Sequence, residues 1–247
     1  MSKTRKRGAE DGPSTVAPKG KKRKGNMDKN ESYDTELGIN TTFARMDNQL
    51  LADHLLQKLT RFGSDLSPVE VSDLTISANV IKDTTSWQEP RTTEKLPEFL
   101  EEFTDEPERL SRASKKHGKP HTLIVAGAGL RAANLVRAVK KFQSKENAIA
   151  KLFAKHIKID EQVKFLSNHR TGMGIGTPAR LSDLLENGAL GLENLQRVVV
   201  DASHIDQKKR GVLDMKETMM PLAKLLTSKH LIDRYGDEKK PVDLIFY

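Results

Sequence analysis

The stretch His121-Thr122-Leu123-Ile124-Val125-Ala126-Gly127-Ala128-Gly129-Leu130-Arg131 decides how this chain folds. Its apolar run is short and continuous, and turn residues close it. That pattern belongs to a strand buried on both faces, as in a parallel sheet. Gly127-Ala128-Gly129 then turns the chain into a helix predicted over about 130–142. Further on, the sequence predicts a second helix near 146–154, a short strand at His156–Ile159 and another helix. Gly174-Ile175-Gly176 follows as a short strand, and Thr177-Pro178 opens a helix that Gly188 closes. Val198-Val199-Val200 reads as a buried strand ending at Asp201, two helical stretches broken at Pro221 come next, and Val242–Tyr247 makes a last strand. Strands alternating with helices predict an α/β fold: one parallel sheet with flanking helices.

Toward the N-terminus the signal changes. A helix is predicted at 96–103, and residues 64–95 read as an irregular arm with one short strand. Trp87, the sole tryptophan, is expected to pack rather than to stack on a base. Phe43, Met46, Leu50, Leu51, Leu55, Leu56, Leu59 and Phe62 fall at helical spacing and form one apolar stripe. Thr41 or Thr42 is the expected N-cap and Gly63 the stop. Residues 1–38 read as a disordered basic tail, 39–95 as a helical and irregular arm, and 96–247 as the α/β domain.

The net charge is +8, yet residues 1–30 alone hold ten Lys or Arg against three Asp or Glu. The basicity therefore belongs to the tail, and the body is nearly neutral. Two clusters carry it: Lys3, Arg5, Lys6 and Arg7, then Lys21, Lys22, Arg23 and Lys24. Such clusters fit the acidic grooves of import receptors and also neutralise RNA phosphates, so they are the expected nuclear-targeting residues. The sequence contains no cysteine, which excludes disulfides, thiolate metal sites and thiol nucleophiles together. It also has no apolar run of the length a membrane span needs, so no membrane partner is expected.

Thr177-Pro178-Ala179-Arg180-Leu181 is the most explicit helix start: Thr at the N-cap, Pro at the first helical position, and Arg180 one turn in. Free amides at such an end can receive a phosphate. Gly127-Ala128-Gly129 opens another helix after a strand, and Val198–His204 puts Asp201 at the carboxyl end of a third, the edge where ligands gather in open α/β sheets.

Taken in order, these three segments resemble the first RecA-like lobe of DEAD-box RNA helicases. The resemblance implies that Thr177 and Arg180 contact RNA backbone, that Gly127, Ala128 and Gly129 offer backbone amides to phosphate, and that Arg131 assists them. It also exposes two losses. No Gly-Lys-Thr or Gly-Lys-Ser triplet lies between Trp87 and Val125; Gly118-Lys119-Pro120 comes nearest and lacks the metal-binding hydroxyl. The four residues in the place of Asp-Glu-Ala-Asp are Asp201, Ala202, Ser203 and His204, and alanine cannot polarise water. ATP hydrolysis is thus not expected, and neither is a cofactor.

More specifically, Gly127–Arg131, Ile175-Gly176-Thr177-Pro178 and the run 198–210 resemble the helicase-like small-subunit ribosome biogenesis factors of the early pre-ribosome, or small-subunit processome. That likeness implies a nucleolar, RNA-binding pseudoenzyme of ribosome biogenesis and rRNA processing. Its implied partners are pre-ribosomal RNA, a small nucleolar RNA–protein particle and other ribosome assembly factors. Lys208, Lys209 and Arg210 would add a small basic patch. Two other readings compete: a protein-only nuclear adaptor docking through 43–62, and a dinucleotide enzyme using Gly127-Ala128-Gly129. Against the second, Asp160 lies 31 positions after Gly129, where an acid is wanted about 20 residues on.

Overall fold

The computed structural model describes residues 32–154 and 157–247. The tail clusters at Lys3–Arg7 and Lys21–Lys24, and His156, lie outside the described residues. A two-residue antiparallel hairpin, β1 (Tyr33–Asp34) and β2 (Ile39–Asn40), comes first. The expectation of a structureless tail up to residue 38 is corrected at its end, because Gly38 makes the turn at φ +67. A 3-10 turn at Thr41–Arg45 leads into α1 (Asn48–Phe62). The predicted stripe is therefore a turn plus a helix. Asn40 caps the turn and Asp47 caps α1, accepting from the Leu50 amide at 2.8 Å, in place of the expected Thr41 or Thr42. Gly63 stops α1 as its sequence indicates.

In the arm, Ser67 and Glu70 form a reciprocal capping box on the short α2 (Pro68–Asp73). Ile81 then makes a single parallel bridge to Leu244. The domain proper comprises α3 (Leu96–Glu102), β3 (Thr122–Val125), α4 (Gly129–Ala138), β4 (Ala148–Leu152), α5 (Ile159–Asn168) and β5 (Thr171–Gly176). It continues with α6 (Pro178–Glu186), β6 (Arg197–Val200), α7 (Lys216–Leu226), α8 (Lys229–Tyr235) and β7 (Asp243–Phe246). The five strands β3–β7 are all parallel, in the order β4-β5-β3-β6-β7. The expected parallel α/β sheet is present.

Each sheet face has its own core. On one face Leu123, Val125, Leu152, Val198, Val200, Leu244 and Phe246 pack with α1, α6, α7 and α8. On the other Ile124, Ile149, Met173, Ile175, Val199, Ile245 and Tyr247 pack with α3 and α4. Phe43, Leu51, Leu55 and Leu59 of the arm's apolar stripe belong to the first core, while Leu50 and Leu56 of the same stripe are exposed. Trp87 packs edge-on against Phe99, ring centroids 5.5 Å apart.

Two expectations fail between 146 and 160. Ala148–Leu152 is a strand rather than a helix, and Ile159 and Asp160 begin α5 rather than ending a strand. The cause lies in the neighbouring strand. Glycines alternate along one face of β5, and a Cβ at Gly174 would meet Leu152 Cδ1 at 2.8 Å and Leu123 Cδ2 at 2.9 Å. That bare face lets β4 and its side chains close in, and pairing overrides the helical propensity of an alanine-rich segment.

His121 heads β3, buried, with Nδ1 2.8 Å from the Thr122 hydroxyl. Burial first, and Arg197 second, push its pKa down to about 4. The unfolded chain takes up that proton near pH 6.5. Stability present above that pH is therefore lost as pH falls toward about 4, by roughly 1 kcal/mol per pH unit. His54 and His204 are also lowered by burial and add in the same sense. Urea midpoints for His121→Gln should fall less steeply between these pH values than those of the native chain. An unchanged slope contradicts the assignment.

A candidate RNA interface on the carboxyl edge of the sheet

Val125 pairs with both Gly176 and Val200, so the chain leaves β5, β3 and β6 side by side. Thr177, Gly127-Ala128-Gly129 and Asp201 thereby share one edge. The Ala126 amide donates to the Gly176 carbonyl at 2.8 Å and the Asp201 amide to the Val125 carbonyl at 2.9 Å, which fixes the three exits relative to one another. The sequence places these motifs together, and the sheet does so physically.

Several expected roles change once the side chains are seen. Arg131 is buried and forks onto Asp201, with Nε to Oδ2 at 2.8 Å and a terminal nitrogen to Oδ1 at 2.7 Å; it also donates to the Thr93 hydroxyl. Burial opposes its charge, but the Asp201 carboxylate outweighs that and raises its pKa. Arg131, expected at an RNA contact, is thus buried as the internal partner of Asp201. Arg180 also has internal partners. Its guanidinium donates to Gln162 Oε1 at 2.6 Å and to the Ile157 carbonyl at 3.1 Å, tying α6 to α5, and only 12% of the side chain is exposed.

Val212 packs against the α-carbon of the half-buried Gly127: a Cβ there would sit 3.3 Å from Val212 Cα. This glycine admits the chain's own backbone. Asp160, which the dinucleotide reading needs at the end of a strand, lies in the first turn of α5.

What stays accessible is narrower. Ala128 is exposed at the start of α4, and Thr177 is half-buried at the start of α6 with no side-chain cap bond. Nearby, Asp206 organises the loop after β6. Its Oδ1 accepts from the Lys208 and Arg210 amides at 2.8 and 2.9 Å, and its Oδ2 accepts from the Arg210 guanidinium at 2.7 and 3.0 Å. Arg210 holds the Asp206 carboxyl below its usual range. Lys209 takes a left-handed φ of 58, and Lys208 and Lys209 are exposed with no ion pair among the described residues. Arg210 is therefore the brace, and the two lysines carry the available charge.

Sequence reasoning missed the hairpin. The Asn40 amide donates to the Ser203 carbonyl at 2.6 Å and the Ile205 amide to the Gly38 carbonyl at 3.0 Å, so residues 38–40 line the segment that follows β6. Gly38 beside Ile39 was its only signal. His204 is half-buried there, lowered by burial and then by Arg131. Among the described residues no group of three His, Asp or Glu is placed to hold a metal ion, and no helix is long and apolar enough to cross a membrane.

The fold and this edge define a class: a single five-stranded parallel α/β lobe with Asp201 and Ala202 at the carboxyl end of a central strand. Residues 2–247 match the family described as CMS1, U3-containing 90S pre-ribosomal complex subunit, and the chain belongs to that family. Protein CMS1 of Chaetomium thermophilum is 60% identical over 229 residues, covering 93% of this chain and 91% of that one. Protein CMSS1 of Homo sapiens is 33% identical over 134 residues, covering 54% of this chain and 48% of that one. Among solved structures, a DEAD box protein from Methanococcus jannaschii superposes with a TM-score of 0.41 at 16% identity, over 64% of this chain and 37% of that chain. A structure of S. cerevisiae Dbp5 bound to RNA and ADP BeF3 gives 0.39 at 13%, over 76% and 46%. This chain thus spans less than half the length of these two solved proteins.

Removing one partner of the Arg131–Asp201 pair should cost about 3–5 kcal/mol, because the other charge is left buried. Arg131→Met and Asp201→Leu should each lower the denaturation midpoint strongly, and the double variant should recover part of the loss. Additive losses in urea melts would contradict a direct pair.

Proposed function

We propose that this chain is a non-catalytic nucleolar assembly factor of the small-subunit processome that contacts pre-ribosomal RNA along the carboxyl edge of its sheet. The observation that carries the proposal is the braced loop. Asp206 and Arg210 hold Lys208 and Lys209 outward without neutralising them, on the side of the sheet where α4 and α6 begin. Fixed cations beside free helix-start amides suit a phosphate backbone and carry no sequence preference. Thr177, Ala128 and Gly129 complete the contact set, and the basic tail supplies nuclear import and further salt-sensitive affinity. The partners are pre-ribosomal RNA, a small nucleolar RNA–protein particle and neighbouring assembly factors. Membership of a family described as a 90S pre-ribosomal complex subunit supports this reading.

Loss of hydrolysis follows from chemistry at the same place. Ala202 is buried and offers no proton acceptor, and Asp201 is engaged by Arg131 in a two-bonded pair. A metal ion would have to displace that guanidinium before using the carboxylate.

Ultraviolet cross-linking in cells, followed by sequencing of the attached RNA, tests the assignment. The native chain should enrich ribosomal precursor RNA, and Lys208→Glu with Lys209→Glu should reduce the yield several-fold while leaving the protein folded. Background RNA alone, with the protein still in large nuclear assemblies, would instead establish a protein-only adaptor.

A further inference from the structure

The opposite edge of the sheet holds a second feature that the family resemblance does not address. Where β3, β6 and β7 begin, a cavity of about 650 Å³ opens among Phe103, Arg112, Asn194, Gln196, Arg197 and Lys240. That volume lies within the range of small-ligand sites. Its lining carries six cations against four carboxylates. Three carboxylates are already matched: Asp243 by Lys82 at 2.8 Å, Glu193 by Lys119 at 2.6 Å and Glu106 by Arg109 at 2.8 Å. Among the described residues Arg112, Arg197 and Lys240 have no carboxylate within ion-pair distance, and Asp105 is the one acid left over.

Arg197 is the informative member. It is 94% buried by its 6% exposure, and its bonds go to neutral oxygens, Thr122 Oγ1 at 3.0 Å and Gln196 Oε1 at 3.2 Å. Asp243 and Asp105 act on it only through space. A guanidinium held this deep without a contacting anion is costly, and an anion brought into the cavity relieves that cost.

The remaining groups indicate what kind of anion. Asn194 donates its amide nitrogen to Ser114 Oγ at 2.9 Å, which leaves its carbonyl oxygen without a partner. Gln196 gives its carbonyl oxygen to Arg197, which leaves its amide nitrogen without one. One free acceptor and one free donor on neighbouring amides, with an aromatic ring and unpaired cations in the same cavity, match an unstacked nucleotide: base edge, base face and phosphate. An acidic peptide could meet the cations and, through its backbone, the two amides, but it brings no flat base face to the Phe103 ring.

We propose that this cavity accepts a nucleotide of single-stranded RNA, with its base on Phe103, Asn194 and Gln196 and its phosphate facing Arg112, Arg197 and Lys240. The proposal extends the RNA-contacting reading to a second site, roughly 15 Å from the first along the strands.

The test uses the full chain and a fluorescent single-stranded RNA oligonucleotide of mixed sequence, titrated over a range of salt. Arg112 and Lys240 are exposed, so Arg112→Ala with Lys240→Ala should leave the fold intact. Binding should weaken, and the slope of log affinity against log salt should fall by about 0.7, one phosphate neutralised on a single strand. Asn194→Ala with Gln196→Ala should weaken binding without changing that slope. Ultraviolet cross-links mapped by mass spectrometry should fall on the peptide carrying Phe103.

Unchanged affinity and slope in both pairs, with cross-links confined to 208–210, would overturn this site and leave the carboxyl-edge reading standing. RNA binding insensitive to these pairs and to the Lys208 and Lys209 changes alike would overturn both. Competition by a polyglutamate peptide as effective as that by RNA would make the cavity a protein-binding site and overturn the nucleotide assignment.

Discussion

The forked pair between Arg131 and Asp201 holds together the parts of this molecule that matter most. It joins the first turn of α4 to the end of β6, and through the Thr93 hydroxyl it reaches the arm. A buried ion pair adds little net stability over a well-packed apolar pair, but it tolerates no other arrangement of its neighbours. Here it ties the start of α4 to the end of β6 and engages both carboxylate oxygens of Asp201. Around it the edge is closed by backbone. Ala202 and Ser203 donate to the Tyr247 carbonyl at 2.8 and 2.7 Å, the hairpin lies on Ser203, and Val212 packs against Gly127.

The parallel sheet was legible because its strands are buried on both faces and announce themselves as apolar runs: Leu123–Ala126, Val198–Val200, Val242–Tyr247. β4 was not. Ala-Ile-Ala-Lys-Leu is as good a helix as a strand in isolation, and only the bare glycine face of β5 decides between them. The caps show the same limit. Asp47 rather than Thr42 starts α1 because a turn at 41–45 intervenes, and nothing in the apolar spacing distinguishes a 3-10 turn from the first turn of a helix. Motif positions along the sheet edge were readable, whereas side-chain direction was not. Arg131 and Arg180 stand where an RNA contact was expected, and both turn inward because Asp201 and Gln162 offer buried acceptors.

Those inward arginines change what the edge can do. At this edge Arg131 bonds Asp201 and Arg180 bonds Gln162, so these side chains face one another rather than solvent. The exposed cations there, Lys208 and Lys209, sit on a loop braced from within by Asp206 and Arg210.

Rigidity of this kind suits a component that holds position. Binding through preformed cations loses little conformational entropy on contact, so modest charge can give useful affinity when several such contacts act together. The two ends of the sheet differ in how they present charge. At the carboxyl edge each buried arginine has its acceptor in hand and the free charge is superficial. At the amino edge Arg197 is buried without a contacting anion, and the surrounding amides retain one donor and one acceptor. Leaving such a charge without a contacting anion is costly, so an anion entering this cavity would gain more than one meeting a solvated cation.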